Sequence, residues 1–330
     1  MKDKRMKSTI LTGDALEQLK TIPDGTVNTC VTSPPYYGLR DYGVDGQIGL
    51  EETPEQYTNK LVEVFREVRR VLRDDGTLWV NIGDSYATHG GCKGSKHSHN
   101  FRSAEVAERE GIYHAKPYGA QIGLKEKDLI GIPWMLAFAL RADGWYLRQD
   151  IIWAKPNPMP ESVTDRCTKS HEYIFLLSKS KQYYYDAEAI KEKSEQGWKS
   201  VDFMPISIKD MADTTEVKSS ATGASMNGRT DEINDKRNKR SVWTVSVNSF
   251  KEAHFATFPQ ALIEPCILAG APMGGLVLDP FTGSGTTGVT ALQNGRNFMG
   301  IELNPKYVRM AEKRIKNQGH YQERIEVMVV

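Results

Sequence analysis

Two short segments, one near the front of the chain and one near the back, combine residue types that could do chemistry. The front segment is Thr32-Ser33-Pro34-Pro35-Tyr36. Its two prolines fix φ and push the residues before them toward extended geometry, which leaves carbonyl groups of the turn unpaired. A hydroxyl, free carbonyl oxygens and an aromatic ring on a stiff turn can hold a flat, amine-bearing ring against a neighbouring reagent.

The rear segment, Asp279 to Gly288 (DPFTGSGTTG), predicts a pocket of the nucleotide-binding type. It follows the apolar run 276–278 and leads into a helix-like stretch, so its glycines lie on a strand-to-helix turn whose N–H groups face a ligand. The spacing G-x-G-x-x-G also fits a dinucleotide-dependent oxidoreductase, but that fold needs a second βαβ half and fewer than fifty residues remain. Glu302 ends the next strand, where a carboxylate can bind a ribose diol or simply be solvated.

Together the two segments resemble the amino-group DNA methyltransferases that use S-adenosylmethionine. The order is that of the permuted subgroup, in which S/D/N-P-P-Y precedes the glycine loop, and the resemblance covers most of the chain. It implies a class I methyltransferase-like fold with S-adenosylmethionine as cofactor and double-stranded DNA as partner. The implied catalytic residues are Ser33, Pro34, Pro35 and Tyr36, and the implied cofactor residues are Asp279, Pro280, Phe281, Gly283, Ser284, Gly285, Thr286 and Glu302.

Four further side chains have a functional and a structural interpretation. Phe258 lies in a segment, 254–259, that resembles the family's additional cofactor-side element, but it can equally be core. Asp84 at a strand end could face the cofactor or the base, or only form a Gly-Asp turn. Trp153 and Lys155 resemble the element beside the target-base pocket, where they would stack on a base and meet phosphate; a buried strand tryptophan is the alternative.

The resemblance also implies a mechanism. A base inside a duplex must rotate out of the helix and stack on Tyr36. Its amino group then donates hydrogen bonds to Ser33 Oγ and to the Pro34 carbonyl, and an in-line displacement of the methyl group follows without a covalent intermediate. A first-position serine goes with cytosine N4 in this family, and Asp or Asn with adenine N6. The sequence therefore favours cytosine N4 as the methylated amine and leaves adenine N6 open. Two other functions also stay open: DNA binding without catalysis, and methylation of an amide side chain in protein.

Composition limits the remaining possibilities. The chain has 330 residues, 39% apolar content and a net charge of +1, so DNA contact requires a local basic face such as Lys236, Arg237, Lys239 and Arg240. Without a long apolar run or a signal-peptide pattern, we expect a cytoplasmic protein with no membrane contact. Four dispersed cysteines and an irregular His/Cys tract (His89, Cys92, His97, His99) predict no metal site. A homodimer and a cognate restriction endonuclease are left open.

Alternation of strands and helices predicts a doubly wound, mostly parallel α/β sheet with an inserted target-recognition region. We expect residues 1–186 to form the first part of the catalytic domain, with an exposed insertion at 87–127. Residues 187–247 are predicted to recognise the target, and residues 248–330 to complete the cofactor-binding part. A long helix is expected from Pro54, stopped by Asp74-Asp75-Gly76 before a strand at 77–82.

Overall fold

The computed structural model describes residues 6–39, 41–87, 123–194, 236–247, 258–317 and 325–329. Its α-helices are α1 (Ala15–Lys20), α2 (Pro54–Val71), α3 (Ile132–Ala142), α4 (Gln260–Gly270), α5 (Thr286–Gln293) and α6 (Pro305–Lys316), with one 3₁₀ turn at Glu188–Ile190. Its strands are β1 (Met6–Thr12), β2 (Val27–Thr32), β3 (Leu72–Ile82), β4 (Tyr146–Ala154), β5 (His171–Ser178), β6 (Glu192–Lys193), β7 (Lys236–Arg237), β8 (Val242–Thr244), β9 (Leu276–Asp279), β10 (Asn297–Glu302) and β11 (Ile325–Val329).

Nine of these strands form one sheet in the order β11-β1-β10-β9-β2-β3-β5-β4-β8. Every neighbouring pair is parallel except the two pairs of β5, which runs antiparallel to both β3 and β4. The predicted mostly parallel, doubly wound sheet is confirmed. The late strands β9 and β10 lie between the early strands β1 and β2, so the chain inserts its last βαβ unit into the middle of the sheet.

The two faces of the sheet carry separate apolar cores, because successive strand residues point to opposite faces. Cys30 and Leu78 pack against α1, α2 and α3, whereas their neighbours Val31 and Trp79 pack against α4, α5 and α6. Helices on both faces explain why the central strands read as continuous apolar runs.

Parallel order brings the carboxyl ends of β1, β10, β9, β2, β3 and β4 to one edge of the sheet. Because β5 is reversed, its first residues, His171 and Glu172, lie at that same edge. Ligands of open α/β sheets bind at this edge, where the strand order reverses. The edge is therefore where a functional site is expected.

The boundary between α2 and β3 differs from the prediction. The helix begins at Pro54 as predicted, with a Thr53 capping box, but it ends at Val71, and Asp74-Asp75-Gly76 belongs to an irregular part of β3. Between the pairs Val27–Leu72 and Thr29–Thr77, β2 advances two residues and β3 five. Lys179 N donates to Gly76 O and Tyr184 N donates to Asp75 O, and these hydrogen bonds stabilise the extended backbone of the irregular segment. These partners lie about a hundred residues away, so the local turn signal was misleading.

The described ends of the two predicted inserted regions are anchored to the fold. Ala87 N donates to Asp128 O at 2.8 Å, and Lys127 N donates to Ala87 O at 2.9 Å; residues 88–122 lie outside the described ranges. In the predicted recognition region, β6 pairs with β7, and β8 extends the main sheet beside β4. The end of that region is thus continuous with the catalytic sheet. Within the described ranges, no helix is long and apolar enough to cross a membrane.

Candidate active site

One side chain joins the front and rear segments directly. Thr32 Oγ1 donates to Asp279 Oδ1 at 2.6 Å, and Thr287 Oγ1 donates to Asp279 Oδ2 at 2.6 Å. The contact forms because β2 and β9 are neighbours in the sheet, with Cys30 opposite Leu278. Residues 247 positions apart thereby fix the two turns relative to each other.

The buried Asp279 carboxylate is used to hold the turns. It also accepts from Phe281 N at 3.1 Å. Burial raises its pKa from 3.8 to about 6, and the hydrogen bonds from Thr287, Thr32 and Phe281 N offset only part of that increase. A cofactor contact of Asp279 stays a prediction; its geometry indicates a positioning role.

Asp279 should make the stability of the protein depend on pH. Its folded pKa of about 6 exceeds the unfolded value of 3.8, so its contribution is fully present below pH 4 and is lost as the pH rises through 6. Relative to Asp279→Asn, the wild-type protein should lose about 3 kcal/mol of unfolding free energy between pH 3 and 7. Urea unfolding of both proteins at several pH values measures this difference. Parallel pH curves would contradict the prediction.

The glycine turn between β9 and α5 is held by its neighbours on α6 and β10. Gly285 has φ +83°, and an added Cβ would lie 2.9 Å from the Ala311 Cβ, so no larger residue fits without displacing α6. Arg314 Nη1 donates to Ser284 O at 2.7 Å and to Ser284 Oγ at 2.6 Å. The Ser284 hydroxyl is thus already bound to Arg314.

Glu302, at the end of β10, closes the glycine turn from the side. Its Oε2 accepts from Gly283 N at 2.8 Å and its Oε1 accepts from Asn304 N at 2.8 Å. Burial raises the pKa of this carboxyl, and the backbone hydrogen bonds counter that shift only in part. Each carboxylate oxygen keeps a second lone pair, so Glu302 can still accept hydrogen bonds from two hydroxyls of a ligand.

A cavity of about 250 Å³ lies between the two turns. Its lining includes Ser33, Pro34, Pro35 and Tyr36 from the front segment and Pro280, Phe281, Gly283, Ser284, Thr286 and Glu302 from the rear segment. Phe258, Trp153 and Lys155 line the same cavity, whereas Asp279 and Gly285 support its wall from behind. The structure thus brings the four predicted catalytic residues and most of the predicted cofactor residues together, in an apolar cavity with a few convergent polar groups.

The Tyr36 side chain is bonded to residues that the sequence did not single out. Its hydroxyl donates to Glu172 Oε2 at 2.7 Å, and Asn81 Nδ2 donates to the same oxygen at 3.3 Å. Lys155 forms an ion pair with Glu172 and lies 4.2 Å from the centre of the Trp153 ring. Burial, followed by the nearby Glu172 charge, raises the pKa of Tyr36 well above its usual value. Tyr36 is therefore a neutral donor in the physiological range.

Asp84 has a structural role in the fold. Its carboxylate accepts from Gly131 N at 3.0 Å and from Ile132 N at 3.1 Å, at the start of α3, and also from Ser85 N. The side chain is not part of the cavity lining. A carboxylate at a helix N-terminus satisfies free N–H groups and interacts favourably with the helix dipole, so this geometry does not support its predicted cofactor role.

The predicted basic DNA contacts are partly engaged within the protein. Arg237 Nε and Arg240 Nε each donate to Glu192 Oε1 at 2.9 Å. Burial alone would raise the pKa of Glu192, but these two hydrogen bonds outweigh it and the pKa lies below its usual value. Lys239 lies 5.0 Å from the centre of the Trp243 ring, and Lys236 is exposed. DNA binding by these four residues stays a prediction.

Several cavity residues lie in loops that hold none of the predicted site residues. Gly13 and Asp14 follow β1, and Asp14 Oδ1 also caps α1 by accepting from Glu17 N at 3.0 Å. Tyr42 and Gln47 line the cavity from the loop after the catalytic turn. The Gly-Asp pair at the end of β1 was an available signal, because its strand is parallel to β10 and ends beside Glu302.

No cluster of metal-ligating side chains occurs in the described parts of the chain. His89, Cys92, His97 and His99 lie outside the described residues. Cys30 and Cys266 are buried, and burial raises the pKa of both thiols. A raised thiol pKa disfavours the nucleophilic thiolate.

Comparison with known proteins identifies the family. Residues 27–313 match the N6/N4 methyltransferase family model, described as DNA methylase. The chain is similar to the Type II methyltransferase M.Cfr9I of Citrobacter freundii, with 48% identity over 311 residues that cover 94% of this chain and 88% of the relative. It is similar to M.SmaI of Serratia marcescens, with 47% identity over 306 residues that cover 93% and 90%.

Solved structures show the same fold. The PvuII DNA methyltransferase, described as cytosine-N4-specific, superposes with a TM-score of 0.61 at 17% identity, covering 99% of this chain and 98% of the other. A putative DNA modification methylase from Thermus thermophilus, complexed with S-adenosyl-L-methionine, gives 0.57 at 21% identity, with 98% and 99% covered. By sequence and by fold, the chain belongs to the S-adenosylmethionine-dependent amino-group DNA methyltransferases, the N4-cytosine and N6-adenine family.

Proposed function

We propose that the protein methylates the exocyclic N4 amine of cytosine at a specific site in double-stranded DNA. The observation that carries this proposal is the single cavity lined by both turns, which the Thr32–Asp279 hydrogen bond fixes relative to each other. Group transfer needs the acceptor and the donor in one enclosed place at a defined angle. A cavity shared by an amine-binding turn and a nucleotide-type turn provides that arrangement.

The rear half of the cavity fits S-adenosylmethionine. Glu302 has carboxylate lone pairs available for a ribose diol, and the cavity walls contributed by Pro280, Phe281 and Phe258 are apolar. When bound, S-adenosylmethionine supplies an electrophilic methyl group on a sulfonium. The Glu302 carboxylate also places a negative charge near that cationic ligand, which favours its binding.

The front half of the cavity fits an amine. Pro35 O accepts a hydrogen bond from Tyr57 at 2.7 Å, whereas no donor among the described residues bonds to Pro34 O. The Ser33 side chain has a hydrogen bond with Tyr36, and a serine oxygen that donates its proton keeps two lone pairs. We assign Pro34 O and Ser33 Oγ as acceptors for the two hydrogens of an amino group. Holding both hydrogens draws the nitrogen toward tetrahedral geometry and directs its lone pair into the cavity.

Access to this cavity requires the target base to leave the duplex. The acceptors lie at the sheet edge, and the partly buried Tyr36 ring supplies a surface on which an extrahelical base can stack. Trp153, beside it, is buried and donates to Val245 O at 2.8 Å. We assign the stacking role to Tyr36 and a wall of the base pocket to Trp153.

The test is transfer of the tritiated methyl group from S-adenosylmethionine to DNA, followed by digestion and mass spectrometry of the nucleosides. We expect N4-methylcytosine at one defined sequence, because the catalytic turn begins with Ser33. N6-methyladenine would overturn the base assignment and keep the mechanism. Label found only in protein, or in nothing, would overturn the proposed function.

The names of the relatives support a biological setting. Both relatives are named Type II methyltransferases, and we propose that this protein works in the cytoplasm on double-stranded DNA as the modification enzyme of a restriction-modification pair. Lys236, Arg237, Lys239 and Arg240 would meet DNA phosphates, with the two arginines exchanging Glu192 for phosphate. A cognate endonuclease and a homodimer remain proposals for copurification and sedimentation experiments.

A further inference from the structure

The Glu172 carboxylate lies at the centre of a partly buried hydrogen-bond network beside the catalytic turn. Its side chain is 15% exposed, and that of Lys155, its ion-pair partner, is 17% exposed. Oε2 accepts from Tyr36 Oη at 2.7 Å and from Asn81 Nδ2 at 3.3 Å, while Oε1 accepts from Lys155 Nζ. Among the described residues, the hydrogen-bond partners of this carboxylate thus come from three other segments of the chain.

Asn81 fixes the position of the Glu172 carboxylate relative to strands β3 and β5. Its Nδ2 donates both to Glu172 Oε2 and to Tyr173 O, at 3.1 Å. The pair lies on neighbouring strands, since Ile82 is opposite Tyr173 in the β3–β5 ladder. The Glu172 side chain therefore cannot rotate away from Tyr36 without losing this contact.

Gly83 allows the Tyr36 ring to approach the sheet. A Cβ at position 83 would lie 2.8 Å from Tyr36 Cε2 and 3.3 Å from Glu172 Cδ. The ring edge thus rests on bare backbone, while its hydroxyl is bound at the end. The steric contact with Gly83 and the hydrogen bond to Glu172 together set the orientation of the ring, with a longer contact from the hydroxyl to Asn81 Oδ1 at 3.4 Å.

Lys155 connects this network to the wall of the base pocket. Its ammonium group pairs with Glu172 and contacts the Trp153 ring, so it is held inside the cavity. A buried carboxylate without a cation would be costly, and Lys155 offsets that cost. This position points to a structural partner of Glu172 more than to a phosphate contact.

We propose that Glu172 is a positioning residue for methyl transfer, which fixes the Tyr36 ring at the angle at which the extrahelical base stacks. The inference rests on the proposed function and adds a residue outside both recognised turns. Glu172 acts through the Tyr36 hydroxyl and does not itself touch the reacting atoms. Loss of this hydrogen bond should therefore affect the transfer step more than DNA binding.

The experiment compares Glu172→Gln, Tyr36→Phe and the double variant under saturating S-adenosylmethionine. Each single variant should lower kcat by about 10- to 100-fold, the effect of losing a charge-assisted hydrogen bond, with the KM for DNA little changed. The double variant should be no slower than the slower single variant, because each change already abolishes the charge-assisted bond between Tyr36 and Glu172: the glutamine removes the charge and the phenylalanine removes the hydroxyl. A fluorescent base analogue at the mapped target position should still be flipped but stack less uniformly, seen as broader lifetimes.

Gly83→Ala provides a second route that leaves Glu172 intact. It displaces the ring by adding the Cβ, and it should reproduce the loss of kcat. Glu161→Gln is the matched control: Glu161 lies on the same β4–β5 connection, where its carboxylate accepts from Arg166 and from Lys169 N and is not bonded to Tyr36. Its kcat should equal that of the wild-type enzyme.

The outcomes separate the two proposals. An active wild-type enzyme with an unaffected Glu172→Gln variant, or with additive losses in the double variant, would overturn the positioning role alone. A fall in melting temperature that accounts for the whole loss of activity would also overturn it. A wild-type protein that transfers no methyl group to DNA would overturn this inference together with the proposed function.

Discussion

Replacing Ser33 with alanine should lower kcat by about 100- to 1,000-fold, the size expected for removing one preorganised hydrogen-bond partner from a transition state. Ser33 Oγ and Pro34 O are the acceptors assigned to the amine, and Pro34 O alone does not hold both amine hydrogens with good geometry, because the two N–H bonds diverge from the nitrogen. The nitrogen lone pair would then stay delocalised into the base ring. Single-turnover methyl transfer at saturating DNA and cofactor measures this step directly.

The matched control for Ser33→Ala is Ser180→Ala. Ser180 lies beyond the opposite end of β5, where its hydroxyl donates to Asp74 O at 2.6 Å. This variant removes the same atom from the protein and should keep the wild-type rate. If Ser33→Ala also keeps a rate within threefold of wild type, the assignment of Ser33 as an amine acceptor is wrong.

Glu302→Gln should weaken S-adenosylmethionine binding by about 10- to 100-fold, as expected when a charged hydrogen-bond acceptor is lost in a buried site. An amide has one acceptor oxygen, whereas Glu302 accepts from Gly283 N and Asn304 N on different oxygens. The new NH2 group would face one of these N–H donors. The substitution therefore removes a ligand contact and also loosens the glycine turn.

Isothermal titration calorimetry with S-adenosylmethionine measures this loss without requiring catalysis. Glu312→Gln on α6 is the control, because among the described residues Glu312 pairs only with Lys316, and such a partly exposed helical pair contributes about 0.5 kcal/mol or less. Unchanged affinity in Glu302→Gln would show that the ribose is bound elsewhere. Equal losses in both variants would show that the effect is one of net charge.

The two substitutions should affect different halves of one cavity. Ser33→Ala leaves the cofactor turn intact, so its affinity for S-adenosylmethionine should match that of the wild-type protein. Glu302→Gln leaves the amine acceptors intact, so its rate should recover when the cofactor concentration is raised. Such a pattern would locate donor and acceptor on opposite sides of the Thr32–Asp279 contact.

The sequence by itself determined the fold class, the family and most elements, because these depend on local patterns. An apolar run predicted the strand that leads into the glycine turn, and α2 begins at Pro54 as predicted. The glycine turn could be recognised because its conformation requires glycine at Gly285, where φ is +83°. Features of this kind depend on residues that are neighbours in the sequence, so they can be predicted from it.

The tertiary structure alone decided which polar side chains pair with one another. Glu172 reaches Tyr36 only because β5 runs antiparallel beside β3, and Asp279 reaches Thr32 only because β9 inserts beside β2. In the same way, Asp84 caps α3, and Arg237 and Arg240 bind Glu192. A carboxylate accepts a hydrogen bond from any donor brought within about 3 Å, so its partner is set by strand order and register, which residue type does not encode.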